Sequence, residues 1–247
     1  MASALAGFVD GIMDRYPSGY VEVLASVSVQ LIYLAFGLFV ECIRPAYVSE
    51  TSRKMLVQSL RNHVAATLVH VLYVAWMGGQ PVLTRTFATR PYTLPPWTEV
   101  VRHLAIALVL RDVLFYTIHQ LWHLPQLYKF VHAKHHEVRR PSRHHILTIS
   151  YMSVTDFMFL YGFPVMAVAK ALEMDILTTM AFSFVSAVGE QIRLVFGDVG
   201  HDEHHLTNTG DYGVYGIMDT LFSRYGHGAA KKRKMESQSH GQAVPAT

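Results

Sequence analysis

The sequence predicts an all-α fold: an integral-membrane helical bundle of four or five transmembrane helices with a cytosolic histidine-rich helical cap. Three observations predict it. Of the 247 residues 51% are apolar and only 16% charged, where a soluble domain carries near a quarter. The apolar residues gather into runs of about 20, the length a helix needs to cross a hydrocarbon core of roughly 30 Å. The 15 histidines fall mostly in the second half of the chain, and eight of them sit in three tight clusters.

The elements follow in chain order. Residues 1–18 form an N-terminal segment without the marks of a cleavable signal peptide: it carries Asp10 and Asp14, lacks a basic start, and its apolar stretch is short and broken. A single membrane-embedded domain is expected over 19–226. Its first span runs from Gly19 to Cys42, with Glu22 and Glu41 at the ends. The second runs from His63 to Leu83 and is loosened by Gly78, Gly79 and Pro81. The third, Val100 to Ile118, is interrupted by Arg111 and Asp112. The fourth, Met152 to Leu172, and the fifth, Ile176 to Phe196, are separated only by Glu173, Met174 and Asp175 and so form a tight helical hairpin. The fifth carries Glu190 and Arg193 near its end. Loops are expected around Arg90–Pro96 and Arg139–Arg143. Residues 227–247, with the Lys231–Lys234 run, read as a polar, basic, disordered tail.

Basic residues set the orientation. Arg44, Arg53, Lys54 and Arg61 lie between the first two spans, and Lys129, Lys134, Arg139, Arg140 and Arg143 follow the third. The positive-inside rule places these segments and the basic tail in the cytosol. A single cysteine, Cys42, excludes an intramolecular disulfide framework and a Cys-rich zinc module. A formal charge of +3, with no basic patch interleaved with aromatics, gives no ground for a nucleic-acid partner.

The histidine clusters are His119-Gln-Leu-Trp-His123, His132-Ala-Lys-His135-His136 and His201-Asp-Glu-His204-His205. Spacings of three and four put rings on one face of a helix, so each cluster is expected to form a helical stripe. The third cluster follows the hairpin, and two crossings return it to the side of the others. Eight imidazoles are too many for one ion and suit two. Imidazole alone suits Zn, Cu, Fe or Ni.

These residues resemble the fatty acid hydroxylase and sterol desaturase superfamily of integral-membrane oxygenases, which carries HxxxH, HxxHH and HxxHH boxes. The resemblance runs from about Arg111 to Ser223. It includes Asp112-Val-Leu-Phe-Tyr116 before the first box and the Tyr-Gly…Asp…Leu-Phe pattern from Asp211 to Phe222 after the third. Three boxes in order form a far more specific signal than any one. The resemblance implies a non-haem di-iron centre held by His119, His123, His132, His135, His136, His201, His204 and His205. It also implies dioxygen as co-substrate, electrons from cytochrome b5 or an NAD(P)H-dependent reductase, a lipophilic substrate and residence in the endoplasmic reticulum. The outcome would be hydroxylation of a C–H bond of a sterol, a fatty acyl or sphingoid lipid, or a polyketide or terpenoid metabolite; desaturation or further oxidation on the same site is the near alternative.

The chain departs from that pattern in two places. A His-Pro-x-Glu-like stretch is replaced by Ser153-Val154-Thr155-Asp156, and a His-Ser-Gly before the third box by Gln191-Ile192-Arg193. His144 and His145 stand as additional candidate ligands or as a solvated pair. Asp112 is expected to orient a ligand imidazole, with an ion pair to Arg111 as the plainer reading. His63, His70 and His103 read as packing or interfacial groups. Two other classes fit parts of the pattern. One is a zinc-dependent membrane hydrolase with Glu203 as general base, although its boxes lack the His-Glu-x-x-His order. The other is an inactive lipid-binding scaffold with a degenerate site.

Overall fold

Long helices with an apolar outside and a polar inside dominate the computed structural model, which describes residues 2–43, 50–82, 91–139, 141, 146–196 and 199–223. Arg44, Arg90, Arg140, Arg143, His144, His145 and the tail expected to be disordered lie outside the described residues. No strand occurs among the described residues.

A short helix, α1 (Ala2–Met13), precedes α2 (Ser18–Ile43) and α3 (Glu50–Trp76). Gly78 and Gly79, with φ of +68° and +83°, end the run after α3 in the left-handed region that glycine reaches without strain. Helix α4 (Trp97–Trp122) leads into α5 (Pro125–Val131), where proline occupies the first turn and so loses no hydrogen bond. A continuous run then joins α6 (Val154–Phe157), a π turn (Met158–Gly162) and α7 (Phe163–Ala171). Helix α8 (Ile176–Val195) returns antiparallel; Asp175 caps it by accepting the backbone N–H of Leu177 at 2.8 Å. Two short helices, α9 (Val199–Thr207) and α10 (Ile217–Ser223), complete the described chain.

Three of these elements are long and apolar enough to cross a membrane: α2, α4 and the α6–α7 run. Helices α3 and α8 coincide in part with the expected second and fifth spans but carry more polar residues. The expected second span is displaced, because α3 begins at Glu50 and ends at Trp76 rather than running from His63 to Leu83. Its first three turns hold Arg53, Lys54, Gln58 and Arg61, charged and polar helix formers that hydropathy alone does not mark.

Burial is inverted relative to a soluble protein. Glu22, Gln58, Ser59, Asn62, His70 and Arg111 are buried, while Leu31, Phe39 and Leu72 are each at least 60% exposed. A hydrocarbon solvent favours this arrangement, since polar groups find partners only inside the bundle. Asn62 bonds the carbonyls of Ser150 and Met152, and Glu22 accepts from His70 at 3.0 Å. Helix α2 packs on α3 and α8, and α4 packs on α7 and α8. Ala107, Val168, Ala169, Met174 and Phe182 form the apolar core of the second contact. At Gly37 the helices approach so closely that a Cβ would stand 2.8 Å from the Leu147 side chain. This packing fixes the ends of α4, α8 and α9 at one end of the bundle.

Candidate metal centre

The three boxes reach that end by different local structures. His119 lies in the last turn of α4 and His123 is its C-cap residue. The second box is not one helical stripe, which corrects the expectation from spacing. Helix α5 stops at Val131 because the carbonyl of Tyr128 takes the N–H of both His132 and Ala133, which breaks the helical register. A 3-10 turn, His135–Glu137, follows. In that tighter turn the adjacent rings of His135 and His136 go to different places. The third box does lie on one helix, α9.

All eight box histidines come together, in two groups. His119, His123, His132, His136 and His204 form one; His135, His201 and His205 form the other. Within each group the nearest ring nitrogens all lie within 4.8 Å of one another. The groups touch, since the rings of His136 and His205 stack at 4.4 Å. Only His123 and His201 are partly exposed.

Five rings are oriented by the nitrogen that faces away from the group. His119 Nδ1 donates to the carbonyl of Tyr212 at 2.8 Å, His204 Nδ1 to that of Gly210 at 2.6 Å, and His132 Nδ1 to Asp156 Oδ2 at 2.7 Å. In the smaller group His205 Nδ1 donates to the carbonyl of Val138 at 2.7 Å and His135 Nδ1 to that of Tyr151 at 3.3 Å. Backbone carbonyls only accept, so His119, His135, His204 and His205 carry their protons on Nδ1 and present a bare lone pair on Nε2, and His132 does the same opposite an ionised Asp156.

Those lone pairs face each other. His119 Nε2 is 2.9 Å from His132 Nε2 and 3.1 Å from His204 Nε2, and His205 Nε2 is 3.1 Å from His135 Nε2. A shared proton would need one ring to be cationic. Burial and the neighbouring imidazoles oppose that, pushing His135 down to about 4 and His204 down to about 3, and His132, His136, His201 and His205 well below the ordinary histidine value. His136 buries both ring nitrogens without a hydrogen-bond partner. Converging unprotonated acceptors are stable only around a cation.

The donor set fits a transition metal. Ligands on an ion at about 2.1 Å stand about 3.0 Å apart at right angles and about 3.4 Å apart in a tetrahedron. The observed 2.9–3.1 Å matches the right-angled case. Five imidazoles in one group also exceed the four ligands of a structural zinc site.

Asp112 does something other than expected. Among the described residues it bonds no imidazole; its two carboxylate oxygens accept the backbone N–H groups of Tyr215 (2.6 Å) and Met218 (2.9 Å). Asp219 does the same for Tyr212 and Gly213. Together they pin the segment whose Tyr212 carbonyl orients His119. The segment packs along α4 below His119, because Asp112 lies seven residues before it, nearly two turns deeper. Nor does Arg111 pair with Asp112: its guanidinium donates to Glu190 and, at 3.1 Å, to the Tyr215 hydroxyl.

The carboxylate that does orient a ring is Asp156, fully buried, its backbone N–H capped by Ser153 Oγ at 3.1 Å. Its place in the Ser153–Asp156 stretch, where the family pattern has an acidic residue, was the signal that could have found it. The backbone acceptors at Gly210, Tyr212, Val138 and Tyr151 leave no side-chain signal. Glu203, the base of the hydrolase reading, is exposed on α9.

Comparison with known proteins agrees with the boxes. Residues 104–224, just under half of the chain, match the fatty acid hydroxylase family model. A fatty acid hydroxylase of Mycosarcoma maydis is 28% identical over 169 residues, covering 64% of this chain and 41% of the relative. A very-long-chain aldehyde decarbonylase of Oryza sativa is 33% identical over 149 residues (52% and 54%). A methylsterol monooxygenase of Arabidopsis thaliana is 29% identical over 166 residues (59% and 60%). The chain thus spans between about two fifths and three fifths of the length of these relatives. No solved structure matches. Residues 104–224, which contain all three histidine boxes, thus carry a fatty acid hydroxylase domain.

Proposed function

We propose that the protein is a membrane-bound non-haem di-iron monooxygenase that hydroxylates a C–H bond of a lipophilic substrate. One observation carries the reading: five buried imidazoles, each with its Nδ1 proton committed outward, aim bare Nε2 lone pairs at one another across 2.9–3.1 Å. His119, His123, His132, His136 and His204 would hold one iron, and His135, His201 and His205 the other. An iron pair bound there would let dioxygen, two electrons and two protons convert R–H into R–OH and water. The relatives named hydroxylase and monooxygenase support this chemistry over zinc hydrolysis.

The rest of the work falls to the chain's own groups. Asp156 and the four backbone carbonyls keep the rings in one tautomer and one orientation, so loading costs no reorganisation. Phe115 meets His119 edge-on at 5.5 Å and, with Leu160 and Val214, closes the bilayer side of the group to water. Basic residues gather beside the cap, where Arg53, Lys54 and Arg61 of α3 surround the same hollow as Lys134. Such a surface suits an acidic electron carrier of the cytochrome b5 kind. The same charges support a cytosolic cap, and the endoplasmic reticulum is the location that the resemblance in the histidine boxes implies.

The test is metal analysis of purified protein together with oxygen uptake and product analysis on candidate lipids. The expected result is two irons per chain and a hydroxyl oxygen derived from dioxygen. Active protein without iron, or turnover that persists without oxygen, would overturn the reading.

A further inference from the structure

On the bilayer side of the histidine cap, α2, α3, the α6–α7 run and α8 enclose a cavity of about 220 Å3 with largely apolar walls. It follows α8 from Ile176 to Ala187. Eleven residues at the helical rise make this about 16 Å, half of a hydrocarbon core of roughly 30 Å. A second cavity, about 40 Å3, lies directly against His119 and His201. Tyr161 lines both.

Tyr161 is held as a partition. Its hydroxyl donates to Glu190 Oε2 at 2.7 Å, and Arg111 binds the other oxygen of Glu190. Its ring meets Phe115 edge-on at 5.8 Å, and Phe115 meets His119. Tyr161 thus stands one ring, Phe115, away from His119. The residue sits on the π turn Met158–Gly162. Such turns are rare, and they concentrate at functional positions because the helix can re-register there.

The lining also selects chemistry. Its charges are already matched, Glu22 by His70 and Arg111 by Glu190. An ionised head group would therefore enter uncompensated, at high cost. His63 donates its Nδ1 proton to Gln30 Oε1 at 3.2 Å, while its buried Nε2 acceptor has no partner. A neutral hydroxyl supplies the missing donor.

We propose that this cavity binds a neutral, elongated lipid bearing a hydroxyl group, and that Tyr161 is the partition its reacting end must pass to reach the histidines. The binding stands on the cavity itself; what happens beyond Tyr161 rests on the oxygenase reading.

The test uses the full-length, metal-loaded protein in lipid nanodiscs and a long-chain alcohol carrying a diazirine, with adducts mapped by mass spectrometry. Adducts are expected on Met166 and Met180. They should fall roughly tenfold when Met180→Trp fills the cavity, with metal content unchanged; Met180→Phe serves the same purpose should the larger ring lower metal content. The matching carboxylic acid should label roughly tenfold less. In Tyr161→Ala, adducts should extend to Phe115 and Val214, while Tyr161→Phe, which keeps the ring, should retain the wild-type pattern. Labelling confined to outward-facing Phe184 and Val185, indifferent to Met180→Trp, would overturn the binding site. An unchanged pattern in Tyr161→Ala with metal retained would overturn the partition. Labelling needs no oxygen, so a protein that labels as described yet consumes none would sink the oxygenase reading alone.

Discussion

The five-histidine group and the three-histidine group are built differently. The larger draws on all three boxes, is anchored by one carboxylate and two carbonyls, and rests on α4, deep in the bundle. The smaller draws only on the second and third boxes and is anchored by the carbonyls of Val138 and Tyr151; each group has one partly exposed ring, His123 and His201. One group is fixed by helix packing and the other by contacts between two short segments. Helix α9 serves both, giving His204 to one and His201 and His205 to the other. The difference predicts unequal metal retention: the larger group should bind more tightly and the smaller should lose or exchange its ion first.

The largest effect should come from breaking the larger group. His204→Ala removes a ligand whose Nε2 stands 3.1 Å from His119 and should reduce turnover below detection and iron to about one per chain or less. His201→Ala, in the smaller group, should also stop turnover while leaving the other iron in place. Metal counts and the spectroscopic signature of the remaining ion separate the two variants. Equal loss of both ions in both variants would erase the distinction between the groups.

Next comes the carboxylate. Asp156→Asn can no longer accept His132 Nδ1–H as an anion, and lost ligand orientation of this kind typically lowers metal affinity about 10–100-fold. The loss should be confined to the larger group, because the ring that Asp156 bonds, His132, belongs to it. Competitive chelation, read ion by ion, measures it. Asp156→Glu, which restores the charge at a changed reach, should recover part of the loss; a purely structural defect would not respond to the charge.

A smaller effect is expected at Gly213. A Cβ there would stand 2.6 Å from Asp219 Oδ2 and 3.1 Å from Asp112 Oδ1, oxygens fixed by their backbone bonds. Gly213→Ala should therefore cost about 1–3 kcal/mol, as overpacking does. It should also loosen the Tyr212 carbonyl on His119 and so weaken the larger group. Thermal unfolding and metal titration together would show whether the strain reaches the histidines.

The all-helical bundle, the hairpin Glu173–Asp175 and the convergence of three boxes were legible in the sequence because each follows from a period or a length. The hairpin matters most: Asp175 caps α8 and Tyr92 donates its hydroxyl to the same carboxylate at 3.0 Å, so the chain must turn back there. The division of the second box was not legible. Spacing treats His132, His135 and His136 as one stripe, whereas the doubled hydrogen bond on the Tyr128 carbonyl ends α5 first. Asp112 misled for a related reason. A buried acid two turns from a ligand suggests a ring partner, yet it serves the N–H groups of a distant segment whose path no local pattern encodes. Arg111 likewise finds Glu190, 79 residues on, through packing of α4 on α8.

Acidification offers the finest probe of the contrast. In the metal-free fold, burial holds His135 of the smaller group down to about 4 and His204 of the larger down to about 3, against about 6.5 in the unfolded chain. Below that value the unfolded chain takes up protons that the fold refuses, so stability is fully present above about pH 6.5 and falls as the pH drops towards 4. At pH 6.5 half of the unfolded-state population of each such ring is protonated, so each costs about 0.4 kcal/mol relative to pH 8. Both rings should therefore stay unprotonated in the metal-free fold well below pH 6.5. Ring titration followed by NMR on metal-free protein reads this directly; whichever ring titrates nearer 6.5 is the less firmly enclosed, and a His204 that titrates there while His135 does not would reverse the expected ranking of metal retention.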